Sequence, residues 1–366
     1  MKRFNPKPTL GVTKYGPKGL FTTDSFTGNL PVHWKEYLAT IANYSLSKKT
    51  WSAYKTAGKL LTQCQTETKS PMTLPMNDDK VLIFVAWLLS RGLQSRTIST
   101  YLSGLRQVHL AKGILIPVLR PEQVKQILTG ASNLDRIKAR LSLKPTRLPV
   151  TATMMKLLKS CIKESQDSKE RKRLLWAVAT VLFNGAFRVH ELLARTERQF
   201  DPCFTLLNKD LIIKTIKINN VPAKVIQILI KSPKTDRIGV DSIIDVYESK
   251  GPLCPVKALE KWKAVSNQRN CNLPAFCDND GKPLTGTKFN NYLKSYLGKY
   301  INYKKGKITS HSFRAGMASL LGTLGYSDED IQAVGRWSSR AFMDYLKLPR
   351  TRRLAMAKQI GNLVPN

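Results

Sequence analysis

The chain has 366 residues, 42% of them hydrophobic, so it is long enough for two domains with real cores and is not a disordered basic tail. Its 60 Lys and Arg against 25 Asp and Glu give a formal charge of +35, which indicates a nucleic acid partner because a polyanion offsets that self-repulsion. An anionic membrane is the alternative, but the charge is spread along the whole chain, and no run reaches the ~18 apolar residues of a membrane span.

Residues 1–32 are rich in Gly, Pro, Thr and Lys and lack a sustained period, so they predict a flexible basic arm. From 33 to 144 the pattern is helical. The apolar run at 81–89 predicts a buried helix, and a second helix is predicted to begin with Ser95 as its N-cap and to stop at Gly113. The apolar stripe of this second helix consists of Ile98, Tyr101, Leu102, Leu105 and Val108.

The other positions of that helix include Arg96 and Arg106, and Lys112 follows at its end. A basic face on a single helix is often only solvated. Combined with the overall charge, however, it favours a helical clamp on a DNA backbone. Residues 33–144 are therefore predicted to form a DNA-binding domain, with these three cations as phosphate contacts.

A further helix is predicted over 119–140, after which Pro145 and Pro149 stand among basic residues. This composition is typical of an extended linker, which we place at 145–153. The domain boundary is accordingly expected near Pro145. A linker between two domains that clamp DNA would follow its backbone, so Arg147 is a fourth predicted DNA contact.

The second domain, 154–350, opens with helical patterns and then changes period. The β-branched runs at 211–218 and 225–230 predict strands, because turn residues follow each run: Asn219-Asn220 and Ser232-Pro233. Helical patterns resume at 255–266, 286–298, 312–325, 328–335 and 340–347. The sequence thus predicts a mostly α fold with a small antiparallel β-sheet.

The six cysteines are scattered and form no C-x-x-C pair, which indicates a reducing, intracellular setting and no zinc module. Cys271 and Cys277 could share a metal, but no histidine or second cysteine pair stands nearby. Ordinary thiols are therefore the favoured interpretation, and no metal or cofactor is expected.

Arg188 follows a glycine and stands at a predicted helix start, and Glu191 is placed three residues on to pair with it and fix its rotamer. Alone, such a pair is most often a surface salt bridge. Arginine nevertheless suits a phosphodiester, because its planar fork donates two parallel hydrogen bonds and stays charged.

His311 and Arg314 lie three residues apart and therefore share one helical face, from which both side chains can address the same phosphate. Ser310 or Thr309 is the expected cap, and the amides of the helix N-terminus add positive potential. An H-x-x-R spacing alone is weak evidence. It gains weight from Arg188 upstream and from a tyrosine downstream.

Trp337 can donate one hydrogen bond to a phosphate but cannot carry a proton; a core tryptophan is the alternative. Tyr345 is the expected nucleophile, because the cations around it favour the phenolate of a group whose pKa is ordinarily about 10. Tyr326 lies too close to the His-Arg helix in sequence, and Tyr292 precedes that helix.

Three motifs and the tyrosine occur in a characteristic order: Gly185-x-x-Arg188-x-x-Glu191-Leu192, His311-Ser-Phe-Arg314, Gly335-Arg336-Trp337 and Tyr345. This order resembles the tyrosine recombinase (phage-integrase) superfamily. The tryptophan, where most of that superfamily has histidine, resembles the DIRS/Ngaro- and Crypton-type recombinases of eukaryotic mobile elements. The spacing from Trp337 to Tyr345 is one residue shorter than the commonest family arrangement.

The resemblance implies a two-domain clamp on double-stranded DNA: a helical, SAM-like core-binding domain and a catalytic domain. It implies site-specific recombination or integration through a 3′-phosphotyrosine, without metal, ATP or another cofactor, and a nuclear location, or a cytoplasmic one in a prokaryotic host. It assigns the first catalytic arginine to Arg188 and the hydrogen-bonding base to His311. The general acid is expected on a β-hairpin, at Lys234 or alternatively Lys231.

Several alternatives stay open at this point. Residues 351–366 form a tail that either docks on a neighbouring protomer of a tetramer or packs on its own domain. A type IB topoisomerase would use the same residues as a monomer. A non-catalytic DNA-binding protein derived from a recombinase would keep the charge and the clamp.

Overall fold

The computed structural model describes residues 20–26, 28–46, 48–114, 121–141, 146–198, 200–231, 242–266, 271–278, 280–301 and 306–346; at positions 48, 49, 140, 146, 344 and 345 it describes the backbone only. The chain forms two compact units, Met1–Leu143 and Lys144–Asn366. No helix within the described ranges is long and apolar enough to cross a membrane.

The first unit is helical. A short 3₁₀ helix, Thr23–Ser25, precedes five α-helices: α1 Val32–Tyr44, α2 Lys48–Thr68, α3 Asp78–Ser90, α4 Ser95–Ala111 and α5 Glu122–Leu141. Helix α3 is the predicted buried helix, and Phe84, Val85 and Leu88 on it are fully buried. Helices α2 and α4 approach closely, since a Cβ on Gly104 would lie 2.8 Å from Cδ1 of Tyr54.

The predicted N-cap of α4 is wrong by one residue. Gln94 occupies the cap position and makes no side-chain cap hydrogen bond, whereas Ser95 is the first helical residue. The backbone N–H of Ser95 donates instead to Asp135 Oδ2 of α5 at 2.9 Å. A carboxylate from another helix therefore satisfies this end of α4, and it ties α5 to α4 at the same time.

Within the predicted arm, 1–32, the structure describes residues 20–26 and 28–32, and the segment around Phe21 contacts neighbouring helices. The backbone N–H of Phe21 donates to Asn43 Oδ1 at 3.1 Å, and Asn43 Nδ2 donates to the Phe21 carbonyl at 2.9 Å. The Phe21 ring also meets Trp51 edge-on at 6.1 Å between centroids. This segment consequently folds onto α1 and α2.

The second unit contains seven helices within the described residues: α6 Ala152–Glu164, α7 Lys169–Asn184, α8 Val189–Leu192, α9 Pro255–Lys263, α10 Gly286–Leu297, α11 Ser310–Leu324 and α12 Asp328–Gly335. Short 3₁₀ helices span Asn208–Asp210 and Arg340–Tyr345. Every residue of α7 from 177 to 183 is buried, so this apolar helix forms the centre of the unit.

The strands of the second unit are β1 Thr146–Arg147, β2 Leu211–Ile218, β3 Val221–Ile230, β4 Ser242–Tyr247 and β5 Gly306–Lys307. β2, β3 and β4 form an antiparallel sheet in that order, and β1 pairs with β5 in parallel. Asn219 and Asn220 both have positive φ, 49° and 64°, as a two-residue hairpin turn requires.

The predicted sheet is therefore present, and β2 has the predicted bounds. β3 begins four residues earlier than predicted, because the hairpin pairs as far as Ile218 with Val221, next to the turn. The segment that precedes Val225 lacks an apolar pattern since it lies at the exposed tip. The predicted second turn, Ser232-Pro233, lies outside the described residues.

Helix α11 is held close to the chain segment that precedes α6. A Cβ on Gly316 would come within 1.9 Å of the Val150 carbonyl oxygen, and the Val150 N–H donates to the Ser312 carbonyl at 2.9 Å. No larger residue than glycine fits at this crossing. The helix that carries His311 and Arg314 is thus fixed against the core of the unit.

Candidate active site

The turn between α7 and α8 presents Arg188. Gly185 caps α7, and a Cβ there would overlap the Phe187 ring at 2.0 Å. Ala186 has a φ of 46°, in the left-handed region that non-glycine residues rarely adopt. Arg188 then occupies the N-cap position of α8. The predicted helix start at Arg188 is confirmed.

The carboxylate of Glu191 holds Arg188 at two points. Its Oε2 accepts the Arg188 backbone N–H at 2.8 Å, and its Oε1 accepts Nη1 of the same residue at 2.8 Å. The two side chains are 19% and 7% exposed, so this is a largely buried pair rather than a surface salt bridge. The predicted pairing is confirmed, and it fixes the rotamer of Arg188.

Arg314 reaches the same turn from α11, 128 residues further along the chain than Ala186. Its Nη1 donates to the Ala186 carbonyl at 2.6 Å, and its Nη2 donates to the Gly335 carbonyl. The residue is only 3% exposed, and its guanidinium carbon lies 4.2 Å from the centroid of the Trp337 ring. Arg314 therefore joins three motifs that are far apart in sequence.

His311 lies one helical turn before Arg314 and is exposed. Although the residue is exposed, the neighbouring protein atoms partly desolvate its imidazole and lower its pKa from the ordinary value, and the positive charges of Arg147, His190, Arg314 and Arg188 lower it further. Because all four charges act on the same imidazole, their side chains lie in its neighbourhood. The sequence had given no role to His190, and its position near His311 follows only from the fold.

Thr309 is the N-cap residue of α11, as predicted, but the bonds differ from a simple cap. Ser312 Oγ accepts the Thr309 N–H at 3.1 Å, while the Thr309 hydroxyl is buried and without a hydrogen-bond partner in the structure. Asn290 of α10 accepts the Ser310 N–H through its Oδ1 at 2.7 Å. The first turn of α11 is thus anchored from both sides.

Trp337 follows a tight turn at the end of α12. A Cβ on Gly335 would lie 1.5 Å from Cζ3 of Trp337, so the indole packs directly over the glycine. Gln332 accepts the Trp337 N–H through its carbonyl at 3.1 Å and donates its Nε2 to the Trp337 carbonyl at 2.9 Å. The ring is partly buried against Phe342, with 5.7 Å between centroids.

Arg336 is a member of the site that the sequence did not single out. Its Nη2 pairs with Glu191 Oε2 at 3.1 Å, and its Nη1 donates to the Gly185 carbonyl at 3.0 Å. Its guanidinium lies over the Phe187 ring, 4.7 Å from the centroid. The arginine between glycine and tryptophan was the available signal, although sequence alone does not show which way it points.

The two predicted candidates for the general acid differ. Lys231 is paired with Asp210 Oδ2 at 2.5 Å, and it also donates to the Pro202 and Thr205 carbonyls. The side chains of this pair are 11% and 4% exposed. In this structure, then, the Lys231 ammonium is bound by acceptors of the protein itself. Lys234 lies outside the described residues.

The backbone of Tyr345 ends the 3₁₀ helix Arg340–Tyr345, and its side chain lies outside the described atoms. Phe342 of this helix is fully buried in a small cluster with Ala318 of α11 and Ile331 of α12. A Cβ on Gly322 would lie 2.8 Å from Cδ2 of Leu346. The tyrosine is therefore carried by a segment that packs on α11, the helix of His311 and Arg314.

All four predicted DNA contacts are exposed: Arg96, Arg106 and Lys112 in the first unit and Arg147 in the second. Cys277 is buried, and its thiol donates to the Pro274 carbonyl at 3.2 Å. No group of three or more His, Cys, Asp or Glu side chains within the described ranges is arranged to hold a metal.

No protein-family model matches the sequence, and no curated protein matches it. Solved structures do. XerH site-specific recombinase, bound to a palindromic difH substrate, gives a TM-score of 0.55 at 16% identity over 90% of this chain and 83% of that one. The Tn1549 transposon integrase, in complex with transposon right-end DNA, gives 0.53 at 14% identity over 86% and 95%.

A lambda integrase dimer bound to a core site gives a TM-score of 0.52 at 14% identity, over 85% of this chain and 75% of that one. These three structures each match more than four fifths of this chain, whose described part is mostly helical with a small antiparallel sheet. The chain has the tyrosine-recombinase fold, and the predicted fold class is confirmed.

Proposed function

We propose that this protein cuts and rejoins DNA strands through a 3′-phosphotyrosine, as a recombinase or integrase of a mobile DNA element. One observation carries the proposal: Arg188 and Arg314, far apart in sequence, meet at a single turn, where Arg314 bonds the Ala186 carbonyl at 2.6 Å. Only the fold can bring about that convergence, and two arginines at one turn suit the oxygens of a phosphodiester.

The proposed reaction begins with attack of the Tyr345 hydroxyl oxygen on phosphorus. The P–O5′ bond breaks as the Tyr–O–P bond forms, leaving a 3′-phosphotyrosine and a 5′ hydroxyl. The two arginines stabilise the negative charge that grows on the non-bridging oxygens. A 5′ hydroxyl from another strand then reverses the step, so the energy of the ester is conserved and no metal or nucleotide cofactor is needed.

Two protons move in this proposed step. His311 takes the tyrosine proton, and its lowered pKa supports that role because the imidazole is neutral and able to accept near pH 7. The 5′ oxygen receives a proton from Lys234. Lys231 is the weaker candidate, since its ammonium is paired with Asp210 at 2.5 Å.

Trp337 carries no proton in this scheme. Its ring lies over the Arg314 guanidinium at 4.2 Å and supports the arginine from one side. In the same proposal Arg96, Arg106, Lys112 and Arg147 contact phosphates of double-stranded DNA, for which their exposure and the charge of +35 are the support.

The finer affiliation is also a proposal. The Gly335-Arg336-Trp337 string supports an affiliation with recombinases of the DIRS/Ngaro or Crypton type and hence a nuclear location. Assembly as a tetramer on DNA, with residues 351–366 exchanged between protomers, belongs to the same expectation. Strand exchange between two duplexes would distinguish it from a type IB topoisomerase, which acts on one duplex.

The test is a covalent trap that needs no knowledge of the target. A pool of nicked DNA duplexes with a randomised core is incubated with the full-length protein in EDTA and then denatured. The nick lets the cleaved fragment diffuse away, so adducts accumulate and their DNA can be sequenced. We expect an adduct from wild type and from Y326F, whose tyrosine is 54% exposed and outside the site, and none from Y345F.

Absence of any adduct from the wild-type protein would leave only DNA binding and contradict the proposal. An adduct or cleavage product that requires magnesium would also contradict it, because it would indicate metal-dependent chemistry.

A further inference from the structure

The charges around Glu191 are unevenly balanced. One carboxylate, 7% exposed, serves two guanidiniums: Arg188 Nη1 at 2.8 Å on Oε1 and Arg336 Nη2 at 3.1 Å on Oε2. With Arg188 alone, the buried carboxylate would cancel the charge meant for a phosphate. With Arg336 added, the three side chains keep a net charge of +1.

Arg336 also holds the turn that aims Arg188. The carbonyls of Gly185 and Ala186 are bonded in succession, the first by Arg336 at 3.0 Å and the second by Arg314 at 2.6 Å. Ala186 adopts a left-handed φ of 46°, a conformation that is unfavourable for a residue with a Cβ and persists only where its surroundings fix it. The two arginines supply that fixing.

The position of Arg336 is itself costly, since burial lowers its pKa and opposes its charge there. It also has a left-handed φ, 55°. A long apolar side chain would pack over Phe187 without the desolvation cost. A charged side chain at this position therefore indicates a role other than packing.

We propose that Arg336 is a positioning residue for the cleavage step: it offsets the charge of Glu191 and clamps the Gly185–Ala186 turn, so that Arg188 faces the phosphate with its charge uncompensated. The inference rests on the proposed function. Arg336 itself does not touch the phosphate in this scheme, because its donors go to Glu191, Gly185 and Val334.

The test uses the DNA selected by the covalent trap and measures two quantities: the single-turnover rate of adduct formation and the equilibrium Kd for intact duplex. Substitution R336M should slow adduct formation about ten- to hundredfold with Kd nearly unchanged, because orientation is lost and not DNA contact. R336K keeps the charge without the fork and should fall between. R173M is the matched control, as Arg173 also donates to a backbone carbonyl, of Lys261, in another helix.

The double variant R336M/E191Q separates charge from packing. Glu191 also fixes the Arg188 rotamer, so E191Q is measured alone as well; if Arg336 offsets the carboxylate, E191Q should slow R336M less than it slows wild type. Equal slowing by E191Q in the two backgrounds, or R336K no better than R336M, would overturn the charge-offset role. An R336M rate equal to that of R173M would overturn the inference entirely.

Thermal unfolding shows whether each variant is folded. If R336M does not fold, R336K carries the test, and a rate equal to that of R173M then overturns the proposal. A wild-type protein that forms no adduct is a different outcome, since it refutes the proposed function and the inference with it.

Discussion

His311 is the residue whose titration reports most directly on the site. Desolvation and the charges of Arg147, His190, Arg314 and Arg188 lower its pKa below the ordinary value of 6.5. The unfolded chain therefore binds this proton first as the pH falls. Stability from this group is complete above pH 6.5 and declines as the pH falls toward the folded-state pKa.

The same shift predicts the pH profile of adduct formation. At subsaturating DNA, where the rate reports the DNA-free protein, the midpoint of the acid limb should lie below pH 6.5, because a protonated imidazole cannot accept the tyrosine proton. H311N should lower the rate and remove this acid limb. A wild-type limb centred above pH 6.5, or an unchanged limb in H311N, would show that another group is responsible.

Gly335 should be intolerant of even one methyl group. A Cβ there would lie 1.5 Å from the Trp337 ring, so G335A must displace the indole from its place over Arg314. We expect a loss of about 1–3 kcal/mol in unfolding free energy and slower adduct formation. G58A, where a Cβ meets nothing within 4 Å, should be neutral or stabilising in the same urea titrations.

Substitution of Lys234 should affect cleavage, whereas substitution of Lys231 should affect stability. K234A should slow cleavage of ordinary DNA but not of DNA with a bridging 5′ sulfur at the scissile position, because a thiolate leaves without a proton. K231A should instead lower the free energy of unfolding by several kcal/mol, since it strands the buried Asp210 carboxylate. Rescue of K231A by the sulfur substrate, with none for K234A, would reverse the assignment.

At the residue scale, sequence spacing could predict local pairs but not their surroundings. The pairing of Arg188 with Glu191 was predictable because residues three apart on a helix are neighbours. The burial of Arg314 and the contacts of Arg336 were not predictable, because their bonding partners lie 128 and 151 residues away in the chain. Long-range carbonyl acceptors leave no pattern in the sequence.

At the scale of helices, His109 joins α4 to the segment before α3. It is fully buried, its Nε2 accepts the Met76 N–H at 3.1 Å, and its Nδ1 lies 2.8 Å from the Leu105 carbonyl. Because a carbonyl only accepts and an amide N–H only donates, the neutral Nδ1–H tautomer follows. The His109 imidazole therefore accepts the hydrogen bond of the Met76 amide, as a backbone carbonyl would in a helix or strand.

H109L should destabilise the protein by about 1–3 kcal/mol, since it leaves the Met76 N–H buried without an acceptor. Urea unfolding measures the loss. H33L, at an exposed histidine of α1, is the control and should change little. An H109L variant as stable as H33L would mean that the loop finds another partner.

The elements themselves were predicted unequally well. β2 was predictable to the residue, because a β-branched run ends at two asparagines that tolerate positive φ. The cap of α4 was not, because the carboxylate that satisfies Ser95 comes from Asp135, 40 residues later. Caps made by tertiary contacts escape any local pattern.

At the scale of the whole molecule, the predicted fold class is confirmed by solved structures with TM-scores up to 0.55 among those compared. Period changes and turn residues predicted the helices and the small sheet, even though identity to these neighbours is only 14–16%. Motif order, through the family resemblance that it carries, predicted the recombinase fold. The convergence of the motifs at one turn needed the fold.

The most direct measurement is to locate the DNA on the protein. Adducts from the covalent trap are digested with protease and nuclease, and the modified peptide is sequenced by mass spectrometry. The account predicts a 3′-linked nucleotide on Tyr345 and on no other residue. A nucleotide on Tyr326, Tyr292 or any other side chain, with Tyr345 unmodified, would contradict it.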